Sequence, residues 1–344
     1  MLNVISLLFL SQEDLLEAGC FNMNTAIDIA EQAMIGYANG DIMFPDKVSQ
    51  IFNEITQDRT NCLPATLLKQ KICGMKWVSV FPGNPTNFGL QNLTACILLS
   101  NIENGFPVAF MEGTLCSNMR TAAVSSIAAK YLAKNDSKTI GFIGAGEQAK
   151  MHLIGMKTVF PQLEICRVAS RTLRTERNFI NDLNGLFPKL KFVSCNSSYE
   201  MAATDSDIIV TAISAQLPLL QPEWIKKGAF YCHVGGLEDD YAVPLKADKI
   251  VCDDWDSVKH RTQTISRLYK SKVLKDADIH GDLYEIVIKK KTGRTSNEEF
   301  IYFNAVGLSY VDIALAYEMY SSALNKGVGT EMILQNKRLF EHFV

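Results

Sequence analysis

The chain has 344 residues, of which 47% are apolar, 21% charged and 9% aromatic, a balance that builds a substantial core and excludes general disorder or a fibrous repeat. Lys plus Arg number 34 against 37 Asp plus Glu, and a net charge of -3 supplies no broad positive field for nucleic acid. Nine cysteines, odd in number and never spaced as CxxC, read as thiols of a reducing, cytoplasmic compartment rather than as a disulfide frame or a zinc site.

Residues 4–10 read as a strand, too short for an export signal and without a basic flank, and Ser11-Gln12-Glu13-Asp14 reads as a helix start. Apolar positions over 15–37 recur at helical spacing up to Asn39-Gly40, which predicts one helix. Short apolar runs at 48–52, 73–80, 95–99 and 107–111, separated by Pro, Gly and Asn, predict four strands. The Ala-rich stretch 119–132 predicts a helix connecting two domains. From Lys138 the pattern changes: a strand over 139–143 enters a Gly-rich turn and a helix over 147–160, and apolar runs at 165–169, 192–195, 208–212, 229–234 and 250–252 alternate with helical or polar segments. This is the pattern of an open parallel sheet, ending near Phe303. A final apolar helix over about 311–324 has no strand to cross to and is expected to return to the first domain. The fold class is α/β. No apolar run approaches the roughly 20 residues of a membrane-spanning helix, and Lys289-Lys290-Lys291 reads as a solvated turn.

Gly144-Ala145-Gly146-Glu147-Gln148-Ala149 follows a buried-looking strand and opens a helix, the context a dinucleotide fingerprint requires. Gly144 permits the turn, Gly146 lets a pyrophosphate approach the backbone, Ala149 permits close helix packing, and the helix N-terminus faces negative phosphate. The next strand ends in Ser170-Arg171-Thr172, where an NAD-selective site presents a carboxylate to the ribose. An Arg beside Ser and Thr accepts a 2′-phosphate instead, so NADP is the expected cofactor, with NAD the alternative if the strand end shifts by a residue. Lys76 lies on an otherwise apolar strand and requires a partner or a ligand there. His233 is a candidate proton donor or a satisfied structural histidine. Asp253-Asp254 reads as a solvated strand-end turn, and the histidines have no metal-ligand spacing, so no metal is expected.

Several of these motifs, in one order, resemble the ornithine cyclodeaminase and mu-crystallin family. Its carriers are Lys47, Gly74-Met75-Lys76-Trp77, Met119-Arg120-Thr121-Ala122-Ala123, the Gly144–Ala149 turn, Gly228-Ala229-Phe230, and Phe303-Asn304-Ala305-Val306-Gly307-Leu308 before a helix bearing Asp312. The resemblance spans nearly the whole chain. It implies a homodimer in which a discontinuous α+β substrate and dimerisation domain (1–134 and 304–344) stands beside a Rossmann NAD(P)-binding domain (135–303). It also implies that Lys47, Lys76 and Arg120 hold an amino-acid carboxylate, with Lys76 assisting proton transfer, and that Thr94, Arg120, Thr121, Thr211, Val234 and Val306 line the cofactor.

One segment departs from the family pattern. Cyclodeaminases place an aspartate directly after paired glycines, whereas Gly235-Gly236 is followed here by Leu237, leaving Glu238 as the candidate acid or base. Around Cys252-Asp253-Asp254-Trp255, Thr264-Ile265 and Gly281-Asp282-Leu283 to Gly293-Arg294 the chain is similar to family members that release 2,3-diaminopropionate. The expected activity is hydride transfer at the α-carbon–nitrogen bond of an amino acid, an N-substituted amino acid or its imine. The alternatives are a cyclodeaminase-type lyase, in which hydride is borrowed and returned, and an NADPH-binding protein of mu-crystallin type. A small amino or imino acid is the expected substrate, with no nucleic-acid or membrane partner.

Overall fold

The computed structural model describes residues 4–214, 217–338 and 340. They gather into two compact units, Met1–Arg120 with Ser309–Val344, and Thr121–Leu308. The division after Arg120 falls inside a continuous helix, whereas the sequence reading put it at residue 134, just past that helix.

The first unit opens with β1 (Ile5–Leu10). The Ser11 hydroxyl accepts from the Asp14 amide while the Asp14 carboxylate accepts from the Ser11 amide, and this reciprocal cap starts α1 (Gln12–Ala18). Gly19 ends α1 at φ +104, and Asn22 caps α2 (Met23–Ala38). The single helix expected over 15–37 is therefore two, divided at a left-handed glycine. The strands β2 (Ile42–Met43), β3 (Val48–Asn53), β4 (Asp58–Leu67) and β5 (Ile72–Val80) follow, then short α3 (Asn84–Asn87), β6 (Leu93–Asn101), β7 (Pro107–Glu112) and α4 (Thr114–Leu132). Sequence reading missed β4, because Pro64 argues against a strand interior. Here β2 pairs with Thr66 and Leu67 and β3 with positions from Asp58 to Cys62, so the proline, which has no amide proton, sits opposite the break between two partner strands.

The second unit continues β8 (Thr139–Ile143), α5 (Glu147–Val159), β9 (Ile165–Ala169), α6 (Leu173–Asn184), β10 (Lys191–Ser194), α7 (Tyr199–Ala203), β11 (Ile208–Thr211), β12 (Phe230–His233), α8 (Ala242–Lys246), β13 (Lys249–Cys252), α9 (Trp255–Val258), α10 (Thr264–Lys270), β14 (Gly281–Asp282), α11 (Leu283–Val287) and β15 (Ile301–Asn304). Its sheet has the order β10-β9-β8-β11-β12-β15-β13-β14 with every pair parallel. Strand order reverses beside β8, and in such a doubly wound sheet ligands bind outside the carboxyl ends of the strands at that point. The parallel strands are buried on both faces, which is why they read as continuous apolar runs: β8, β11, β12 and β15 have almost no exposed position.

The chain then returns to the first unit through α12 (Ser309–Lys326) and β16 (Thr330–Gln335). The resulting sheet runs β16-β1-β7-β6-β5-β4-β2, with β3 also on β4. Helix α12 lies across β4, β5 and β6 and against α2. Gly74 makes this approach possible: a Cβ there would lie 2.7 Å from the Leu98 carbonyl and 3.0 Å from the Ile313 side chain. Tyr310 stacks on Tyr37 at 5.2 Å, and Ser309 donates to the Pro64 carbonyl at 2.6 Å, fixing the first turn of α12 over the sheet. No described helix is long and apolar enough to cross a membrane.

Candidate active site

Inside the first unit, alternation along β5 sends Ile72, Lys76 and Val78 to the buried face, with Lys76 between Leu63 of β4 and Ile97 of β6. An ammonium on that face must find partners. Asp312, from the first turn of α12, places Oδ1 2.7 Å from Lys76 Nζ and 2.8 Å from Arg120 Nε. Ser117, one turn before Arg120 on α4, accepts from Lys76 at 3.0 Å and from Arg120 Nη2 at 3.4 Å. Lys76 is 1% exposed, Asp312 0% and Arg120 7%. One carboxylate oxygen thus serves two cations, while Asp312 Oδ2 is buried without a hydrogen-bond partner. Burial and the neighbouring Arg120 lower the Lys76 pKa to about 8, and Asp312 limits the fall. Sequence reading anticipated Lys76 and Arg120 but assigned no role to Asp312 or Ser117. The signal for Asp312 was there, a lone carboxylate in the apolar run Tyr310-Val311-Asp312-Ile313.

Lys47 does not join this cluster. It is half-buried in the irregular stretch between β2 and β3 and is not among the hydrogen-bond partners of Lys76, Asp312 or Arg120. Thr94 is exposed on β6 opposite Ser79.

In the second unit, Gly144 adopts φ +111, with its amide on the Ala169 carbonyl at 2.9 Å. A Cβ there would lie 2.4 Å from the Ala212 carbonyl oxygen, so the turn after β8 requires glycine. Gly146 is the N-cap of α5 with no side chain to cap the helix, and a Cβ there would meet no protein atom within 4 Å. The first turn of α5 therefore offers amide donors beside open space, which fits a pyrophosphate. Ala145 and Gln148 are half-buried and Glu147 is exposed, where it pairs with Lys150 at 2.6 Å. At the end of β9, Ser170 is buried with its amide on Glu176, whereas Arg171 and Thr172 are exposed. Glu176, itself wholly buried, also accepts from the Asn196 and Ser197 amides at 3.1 and 2.8 Å and from the Ser194 hydroxyl, and so shapes the β9 and β10 ends. Thr121 is half-buried on α4.

The ends of β11 and β12 are tied together by Glu238. Its carboxylate accepts from Thr211 Oγ1 at 2.7 Å and from the amides of Ile213, Val234 and Gly235 at 2.7, 3.2 and 2.8 Å. The expectation of a proton-transferring Glu238 meets a side chain that is 0% exposed and fully engaged in holding two loops, so its geometry is that of a clamp. Thr211 is likewise buried, its hydroxyl between Glu238 and Tyr231. His233 resolves toward its structural alternative: it is wholly buried, with Nδ1 2.7 Å from Tyr302 Oη and Nε2 2.6 Å from the Gly236 carbonyl. Asp253-Asp254, expected as a solvated turn, is buried. Asp253 Oδ2 accepts from the Val306 and Gly307 amides at 2.8 and 2.7 Å, and burial, opposed by those donors, pushes it up to about 7. Val306 is thereby fixed through its backbone, with its side chain half-buried.

Residues 9–327 match the model of the ornithine cyclodeaminase/mu-crystallin family. The chain belongs to that family. Among its relatives, the N-((2S)-2-amino-2-carboxyethyl)-L-glutamate dehydrogenase of Staphylococcus aureus is 29% identical over 333 residues, covering 95% of this chain and 98% of the relative. The structure of the Δ1-pyrroline-2-carboxylate reductase of Thermococcus litoralis, in complex with NADH and L-proline, superposes with a TM-score of 0.89 at 32% identity, over 94% of this chain and 99% of the other. An archaeal alanine dehydrogenase dimer with bound NAD gives a TM-score of 0.87 at 31% identity, over 96% and 100%. The family match confirms the α/β class with a Rossmann domain and a second domain.

Proposed function

We propose that this family member is an NAD(P)-dependent oxidoreductase acting at the α-carbon–nitrogen bond of an amino acid, an N-substituted amino acid or the corresponding imine. The observation that carries the reading is the pair of buried cations, Lys76 and Arg120, on one oxygen of Asp312 in a chain whose Rossmann unit keeps an open, uncapped Gly144–Gly146 turn. Dehydrogenases and reductases of amino and imino acids among its full-length relatives support it.

In this reading the nicotinamide supplies or accepts the hydride when bound. Gly144, Ala145, Gly146, Glu147 and Gln148 form the turn over which the pyrophosphate rests, and Thr94, Arg120, Thr121, Thr211, Val234 and Val306 belong to the cofactor's surroundings, Thr211 through the Glu238 clamp. Arg120 orients the substrate carboxylate, and Lys76 gives a proton to the substrate nitrogen or takes one from it. A lysine with a pKa of about 8 can do either near neutrality. Exposed Arg171 and Thr172 beside Ser170 favour NADP, since no carboxylate of that segment meets the ribose hydroxyls.

The protein is read as a cytoplasmic homodimer. All nine cysteines are free thiols, as a reducing compartment would keep them. Val48 and Trp77 are exposed and share one face of the first unit's sheet, each opposite Cys62, apolar surface of the kind an interface buries. Incubation with amino acids and cyclic imines, following net change in reduced nicotinamide, tests the function: one cofactor consumed per product supports it. Proline and ammonia formed from ornithine with no net cofactor change would assign a lyase instead, and tight NADPH binding without turnover of any substrate would assign a binding protein.

A further inference from the structure

We propose that Asp312 is a positioning residue of the amino-acid site, holding the Lys76 ammonium and the Arg120 guanidinium side by side and cancelling one of their two charges, so that the cluster presents a single positive charge to a single carboxylate. This rests on the reading of Lys76 and Arg120 as substrate groups.

Three elements converge to build the arrangement. Lys76 comes from β5, Ser117 and Arg120 from α4, and Asp312 from α12. The groups facing Lys76 are Arg120, Ser117 and the neutral Cys116 thiol, held protonated by the adjacent Cys20 thiol and by burial, on the α4 side, and Asp312 on the α12 side. Two like charges this close, both buried, would force the lysine to lose its proton. A carboxylate oxygen shared at 2.7 and 2.8 Å opposes that loss and, through Arg120 Nε, fixes the plane of the guanidinium. Ser117 adds an acceptor without a charge. Had Asp312 been matched by one cation, the cluster would be neutral and indifferent to an anion. With two, it is completed by one carboxylate, which fits a substrate whose reacting carbon bears one carboxylate and one nitrogen.

The test is direct titration of Lys76 by carbon-13 NMR of full-length protein labelled at lysine Cε, with the resonance assigned by its loss in Lys76→Arg. In Asp312→Asn the Lys76 midpoint is expected to fall by about one pH unit or more, a tenfold change in acidity, while Ser117→Ala shifts it by less than about half a unit. If Asp312→Asn fails to fold, Arg120→Gln probes the same balance from the other side, and the midpoint is expected to rise by a similar amount. A midpoint unmoved in the folded variant overturns the proposal. Turnover is not needed for this titration, so a protein without oxidoreductase activity would sink the functional reading while leaving the role of Asp312 to be decided by NMR alone.

Discussion

His233 Nδ1 lies 3.0 Å from Asp239 Oδ1, with neither side chain reaching solvent. The other ring nitrogen is 2.6 Å from the Gly236 carbonyl, so a ring protonated on both nitrogens donates to Asp239 and to that carbonyl. Burial alone would lower the histidine pKa, but Asp239, Glu238 and the Gly236 carbonyl outweigh it and raise it to about 9. The folded value lies above the unfolded one. The stability this group contributes is therefore fully present below about pH 6.5 and is lost as pH rises through about 9. His233→Gln should lower Tm most near pH 6, and its gap to wild type should narrow toward about pH 10. A gap that stays constant across that window would show that the histidine is not charged in the fold.

The role proposed for Lys76 predicts a pH dependence of catalysis. With a pKa of about 8, in that role its ammonium would donate during imine reduction and its free amine would accept during amino-acid oxidation. Reduction should slow as pH rises through about 8 and oxidation should accelerate over the same range. Lys76→Met should remove both dependences and lower kcat/KM by roughly 100-fold or more. Profiles flat on both sides of about pH 8 in the wild type would exclude Lys76 as the proton-transfer group.

The two glycines of the nucleotide turn should separate stability from binding. Gly144→Ala forces a Cβ to 2.4 Å from a backbone oxygen at φ +111, and should cost about 1–3 kcal/mol of stability as well as cofactor affinity. Gly146→Ala meets no protein atom within 4 Å, so Tm should hold while cofactor affinity falls roughly tenfold. Calorimetric Kd values and melts check both, and undiminished affinity in Gly146→Ala would remove the pyrophosphate from this turn.

Much of this was legible in the chain itself. The parallel strands announced themselves because β8, β11, β12 and β15 are buried on both faces, and the nucleotide turn because Gly144 and Gly146 meet different local demands. Strand β4 was hidden by Pro64, whose tolerance depends on where two other strands happen to end. The α1–α2 break was hidden because the apolar spacing continues across Gly19. Asp312 and Glu238 were legible as residues but not as roles: each acts through partners far away in the chain or through backbone amides, which no spacing rule predicts. Asp253-Asp254 misled because a carboxylate pair reads as solvated until its amide donors, Val306 and Gly307, are brought beside it from another strand end.

The proposed preference for NADP is tested at the end of β9. Arg171 is exposed there, next to Ser170 and to the α6 cap Thr172. If the proposed NADP preference holds, Arg171→Asp puts there a group that repels a 2′-phosphate and accepts from ribose hydroxyls, and should shift the NADP-to-NAD ratio of Kd values about tenfold or more toward NAD. An unchanged ratio would remove Arg171 from cofactor selection.

The most direct measurement follows the hydride itself. Reduced nicotinamide carrying deuterium at both positions of the transferring carbon is supplied with an α-imino acid, and the amino-acid product is examined by mass spectrometry and NMR. The account predicts one deuterium on the product α-carbon for each cofactor oxidised. Product with no deuterium there, or turnover that leaves the reduced cofactor pool unchanged, would contradict it.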